Sequence, residues 1–136
     1  MLIRRYQPID RQPVIDLWTS VFNDKQPHNS PARMIDAKTA VDDLIFVALL
    51  DTQVVGSCMA GYDGHRGWLY AVAVVPQYRR NGTGAALVKE AIAALNSLGC
   101  IKVNLQIRSQ HRHVADFYQA LGFNIEDRLS MGTFIT

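Results

Sequence analysis

Pro76-Gln77-Tyr78-Arg79-Arg80-Asn81-Gly82-Thr83-Gly84 stands between a near-continuous apolar run, Trp68 to Val75, and a helical stripe beginning at Leu87. Such a run reads as a strand covered on both faces. Beyond the turn, Leu87, Val88, Ala91, Ile92, Leu95 and Leu98 recur at helical spacing with Lys89, Glu90 and Asn96 opposite, and Gly99 marks the end. The stretch is therefore a strand-to-helix turn. Its glycines let backbone N–H groups approach an anion, and the helix start offers unpaired amides and the positive end of a dipole. With two adjacent guanidinium groups, a diphosphate is the guest this turn suits.

Two familiar phosphate-binding patterns fail here. A nucleotide-hydrolase loop needs Lys and then Ser or Thr after its last glycine, but Ala85 and Ala86 follow Gly84. A dinucleotide turn needs a small residue where Leu87 stands and an acid near the end of the next strand, where Asn104 and Gln106 stand.

Working outward, Leu2 to Tyr6 reads as a short strand. Asp10 is placed to cap a helix carrying Val14, Leu17, Trp18, Val21 and Phe22. Ser30-Pro31 opens a second helix running to about Asp43. Leu44 to Leu50 and Val54 to Gly61 form a hairpin across Asp51-Thr52-Gln53. Toward the C-terminus, Ile101 to Ile107 is a strand. Val114, Phe117, Tyr118 and Leu121 make a helical stripe closed by Gly122, and Phe123 onward reads as a last pair of strands.

The 136 residues carry no repeat or linker, so one domain over 1–136 is expected. A net charge of +2 is too small for an electrostatic nucleic-acid binder. Cys58 and Cys100 lie far apart with no metal-ligand spacing, which predicts buried thiols and no metal. No signal-like or bilayer-length apolar segment stands out, and the expectation is a cytoplasmic protein without membrane contact.

The turn matches the Arg-x-x-Gly-x-Gly signature of the GNAT superfamily of N-acetyltransferases, preceded by that family's Val-x-Pro-x-Tyr pattern at Val74 to Tyr78. Downstream, Phe117-Tyr118-Gln119-Ala120-Leu121-Gly122-Phe123 resembles the family's Phe-Tyr-x-x-x-Gly-Phe close. Gly61 to Trp68 is similar to a bacterial branch of small members. The resemblance implies an α/β GNAT fold: a mixed, mostly antiparallel sheet of about six to seven strands, splayed at its centre, with about four helices on its two faces.

Function follows from the same resemblance: transfer of an acetyl group from acetyl-CoA to a primary amine, a small molecule or peptide, by direct attack in a ternary complex. Val72 and Val74 would meet the pantetheine arm through main-chain groups, and the amides of Arg80, Asn81, Gly82, Thr83, Gly84 and Ala85 would cradle the pyrophosphate. Arg79 would orient the loop. A backbone N–H of that strand, such as that of Val74, would stabilise charge developing on the thioester oxygen. Tyr118 would donate a proton to the departing thiolate. Small members of the family often pair, so a homodimer is open.

Three departures from the family pattern stand out. Trp68 occupies the place where relatives keep a Glu as proton acceptor, which turns attention to Asp63 and His65, since an imidazole is suited to proton transfer near neutrality. His111 replaces the Asn of an Asn-x-x-Ala-x-x-Phe-Tyr pattern, and Val114 its Ala, so contacts to the coenzyme arm differ. Plainer roles exist for each residue: Asp63 in an Asp-Gly turn, Tyr118 in an apolar stripe, His111 with Arg108, Arg112 and His113 at a solvated helix entrance. A rival to catalysis is a non-catalytic acyl-CoA sensor.

Overall fold

The computed structural model describes residues 1–136, in two units, Met1–Leu105 and Gln106–Thr136. The first unit runs β1 (Leu2–Arg5), α1 (Arg11–Phe22), α2 (Pro31–Thr39), β2 (Ile45–Leu50), β3 (Gln53–Tyr62), β4 (Gly67–Val74), α3 (Thr83–Ser97) and β5 (Val103–Asn104). Its sheet follows chain order, β1-β2-β3-β4-β5. The first three pairings are antiparallel and β4–β5 is parallel. The β2–β3 turn is tighter than the sequence suggests: Leu50 pairs with Gln53, and Asp51 takes the positive φ of 56° that a two-residue hairpin demands.

Gly56 and Ser57 show how the layers form, because consecutive residues of a strand point to opposite faces. On one face a Cβ at Gly56 would lie 3.0 Å from Leu87 Cδ1 and 3.3 Å from Thr83 Cγ2, so the missing side chain lets α3 sit close. Leu87, Val88, Ala91 and Leu95 bury the stripe read from the sequence. On the other face Ser57 meets Trp18 of α1, within a core of Val14, Leu17, Trp18, Ile35, Val47, Leu49 and Ala73. Cys58 and Cys100 are buried free thiols.

Several boundaries differ from expectation for identifiable reasons. Asp10 does not cap α1. Its buried carboxylate instead accepts Arg4 Nη1 at 2.7 Å, Arg4 Nη2 at 3.1 Å and the Gln7 amide at 2.8 Å, closing a 3-10 turn over Pro8–Asp10. α2 stops at Thr39, not near Asp43, because Val41 and Asp42 amides both turn back to the Lys38 carbonyl and Lys38 pairs with Asp42.

The sheet has five strands where six to seven were expected. Of Ile101 to Ile107, only Val103 and Asn104 pair, with Gly67 and Trp68. The anticipated strands after Phe123 are absent: Leu129 and Met131 alternate as a strand would, yet they are 93% and 91% exposed and pair with no strand.

The second unit holds a 3-10 segment, Ser109–Val114, and α4 (Ala115–Ala120). Gly122, at φ 96°, ends α4, with its amide on the Gln119 carbonyl and that of Phe123 on the Tyr118 carbonyl. The four α-helices agree with the expected number.

Candidate active site

β4 changes neighbours along its length. Gly67 and Trp68 pair with β5, and beyond them the two strands part, leaving the rest of that β4 edge without a ladder. The expected splay is thus present, at the last pairing of a five-stranded sheet and not at its centre. The Val75 amide donates to the Val55 carbonyl at 2.9 Å, so odd-numbered backbone groups at this end of β4 face β3. Val74 therefore turns its backbone groups to the open edge, and Val72 continues that edge by the two-residue period. Both side chains are half-buried.

From Val74 the chain makes a 3-10 turn over Pro76–Tyr78 and enters the glycine loop. Arg79 Nε donates to the Val74 carbonyl at 3.0 Å, tying the loop to the strand it leaves. Arg80 has φ 65° and Gly82 φ 87°, so the loop winds left-handed twice in three residues. A Cβ at Gly82 would meet nothing within 4 Å; the glycine is there for its backbone, and the space outside is open.

Gly82 is the N-cap of α3 and supplies no side chain. Asn81 substitutes: its Oδ1 accepts the Thr83 amide at 3.2 Å and the Thr83 hydroxyl at 2.5 Å. Thr83 is thereby spent on the loop, and it is 2% exposed. The Ala86 amide makes the helix bond to the Gly82 carbonyl at 3.0 Å. Amides of Gly84 and Ala85 precede it in the first turn, where a helix offers no internal acceptor. Arg79, Arg80, Asn81 and Gly82 are exposed beside them. Together these groups form a cationic, donor-rich rim.

Asp63 and His65 lie at the other end of β4, separated from that rim by eight residues of strand, about 25 Å. Asp63 Oδ1 accepts the amides of His65 at 2.8 Å and Arg66 at 2.7 Å. These two bonds hold its carboxyl below the usual range, Arg66 contributing most. A carboxylate so held is a turn-former and a weak proton acceptor; the His65 side chain beside it is exposed.

In the second unit, Tyr118 is buried between Phe117 and Phe123, with ring centroids 4.9 and 5.6 Å away in edge-to-face geometry. His111 sits at a kink in the 3-10 segment, exposed, its ring 6.2 Å from that of His113.

Two features escaped the sequence reading. Between Ser57 and Met59 of β3, β4 advances three residues from Ala73 to Tyr70, a bulge with Ala71 at φ 49°. Alanine announces no left-handed backbone, so the apolar run hid the irregularity. Ser57, a lone hydroxyl in the Val54–Gly61 run, was the only trace of it. The second is a cleft of about 80 Å³ lined by Trp18, Phe22, Asp24, Lys25, Asn29 and Met34, where residues read as core also border open space.

A splayed mixed sheet, helices on both its faces and a glycine turn feeding α3 define the class: acyltransferases of the GNAT fold. Residues 11–123 match the acetyltransferase (GNAT) family profile, and the chain belongs to that family. An acetyltransferase of Sodalis glossinidius is 38% identical over 128 residues, covering 93% of this chain and 89% of the relative. One of Yersinia pestis is 36% identical over 133 residues, covering 97% and 94%. The protein is thus an N-acetyltransferase. Solved structures of the same fold include an apo aminoglycoside 6'-N-acetyltransferase of Acinetobacter haemolyticus, at TM-score 0.81 and 16% identity over 100% of this chain and 99% of that one. An aminoglycoside N-acetyltransferase in complex with CoA has TM-score 0.80 and 18% identity over 99% and 95%.

Proposed function

We propose that the protein transfers the acetyl group of acetyl-CoA directly to a primary amine. One observation carries the reading: the rim of unpartnered amides at Gly84 and Ala85 is continuous with the unladdered edge of β4. A long ligand with an anionic end fits that shape, its diphosphate on the rim and its arm along Val74 and Val72. A neighbour of the same fold solved with CoA supports the choice of ligand. The family match from 11 to 123 spans both units and supports reading 1–136 as one catalytic domain.

The amine nitrogen attacks the thioester carbon, forming the C–N bond as the C–S bond breaks. Charge developing on the thioester oxygen falls to an edge amide of β4, with Val74 the candidate, because that N–H faces the edge before any ligand arrives. Tyr118 gives its phenolic proton to the leaving thiolate. His65, at the opposite end of β4 from Val74, takes the proton released by the attacking ammonium through a chain of waters, while Asp63 shapes the turn that carries it. His111 contacts the coenzyme arm.

The acceptor is a small polar amine. The cleft bordered by Trp18, Phe22 and Met34 combines an apolar floor with Asp24, and two neighbours of this fold are named for aminoglycoside acetylation. Release of free thiol from acetyl-CoA across a panel of amines, for wild type and Tyr118→Phe, tests the reading. Catalysis predicts thiol with at least one amine and its loss in the variant. Coenzyme binding with no thiol from any amine favours a sensor.

A further inference from the structure

Trp18 and Ser57 form a buried polar pair whose hydrogen bonds the transfer chemistry leaves unused. Their exposures are 1% and 0%. An indole N–H only donates, so Ser57 Oγ accepts it, at 2.7 Å. A carbonyl only accepts, so the Ser57 hydroxyl must spend its own hydrogen on the Ala71 oxygen, at 3.3 Å. The direction of both bonds is fixed by chemistry. They run from α1 through β3 to the residue of β4 that is bulged and left-handed.

The bulge decides which backbone groups meet the ligand edge. At the start of β4, the Gly67 amide donates toward β5, to the Lys102 carbonyl at 2.9 Å. At its end, the Val75 amide donates the opposite way, to Val55 of β3. Residues 67 and 75 are an even number apart, so a regular strand would send both amides to one side. The single extra residue at Ala71 reverses the phase. Were the strand regular, Val74 would turn its backbone groups into the β3 ladder and away from the open edge.

We infer that Trp18 and Ser57 are positioning residues: their hydrogen-bond relay holds the Ala71 carbonyl, and with it the bulge that aims the Val74 amide at the thioester. The left-handed conformation of an alanine is unfavourable, and a bulged carbonyl has lost its regular ladder place. Ser57, itself fully buried, supplies a partner for this carbonyl. This inference rests on the coenzyme reading of the β4 edge.

The test uses acetyl-CoA labelled with carbon-13 at the thioester carbonyl, bound to wild type, Ser57→Ala, Trp18→Phe and the double variant. Hydrogen bonding to an edge amide moves the bound carbonyl resonance downfield of the free one. Each single variant should lose about half of that displacement or more, and the double variant no more than either alone, since one relay is cut at two points. Affinity for plain coenzyme A, seated on the α3 rim, should change less than about threefold. Trp18→Phe keeps the aromatic bulk and gives the reading even if Ser57→Ala folds poorly. A merely structural role would lower the melting temperature and leave the resonance in place, which overturns the inference while the coenzyme reading survives. Failure of wild type to bind coenzyme A overturns both.

Discussion

Arg79 Nε donates to the carbonyl oxygen of Val74 at 3.0 Å, so the arginine of the glycine loop grips the last residue of the strand before it. The bond sets the distance between the strand edge and the helix start. It also spends the carbonyl of Val74 and leaves that residue's amide as the donor on the open edge.

Arg79→Met removes both the tether and a cation from the rim. A charge-assisted bond is worth about 1.5 kcal/mol, so the dissociation constant for coenzyme A should rise about tenfold. Calorimetric titration reads the change. Melting temperature should barely move, because the side chain is exposed.

Gly82→Ala isolates the backbone. With nothing within 4 Å of the added Cβ, the substitution costs only the left-handed φ of 87°, about 1 kcal/mol. Urea denaturation should register that loss, accompanied by weaker coenzyme A binding as the loop relaxes toward negative φ.

The turn, α3 and the apolar central strand were legible from sequence because each carries a local signal: glycine at positive φ, a 3.6-residue stripe, an unbroken apolar run. Tertiary partners carry no such signal. Asp10 looked like a cap until Arg4 folded against it, and no residue type marks Ala71 as left-handed. The turn chemistry of Asp63 was visible in the Asp-Gly pair, but its two amide bonds needed coordinates. Strands after Phe123 failed for the opposite reason: the alternation exists, but Leu129 and Met131 stay exposed and pair with no strand.

Tyr118→Phe deletes one hydroxyl and keeps the edge-to-face contacts with Phe117 and Phe123. If the phenol protonates the thiolate, kcat should fall about a hundredfold with KM for acetyl-CoA little changed. Steady-state kinetics with an amine found by the thiol assay separates the two constants.

Burial pushes the Cys58 thiol from 9.0 up to about 12. Below pH 9 the thiol is protonated both folded and unfolded, and its contribution is complete. Between 9 and 12 only the unfolded chain ionises, so stability drains as pH rises. The stability difference between wild type and Cys58→Ala should shrink by about 2 kcal/mol from pH 8 to pH 10.5, read by denaturant titration at each pH. At pH 8 the native thiol should resist alkylation.

Amide spectra of nitrogen-15-labelled protein, recorded while coenzyme A is added, test most directly whether the start of α3 and the edge of β4 together seat the ligand. Saturable binding should displace the amide resonances of Gly82, Thr83, Gly84, Ala85 and Val74 more than any others. Spectra unchanged at about 1 mM coenzyme A, a threshold for weak binding, or shifts confined to residues away from that rim, would contradict it.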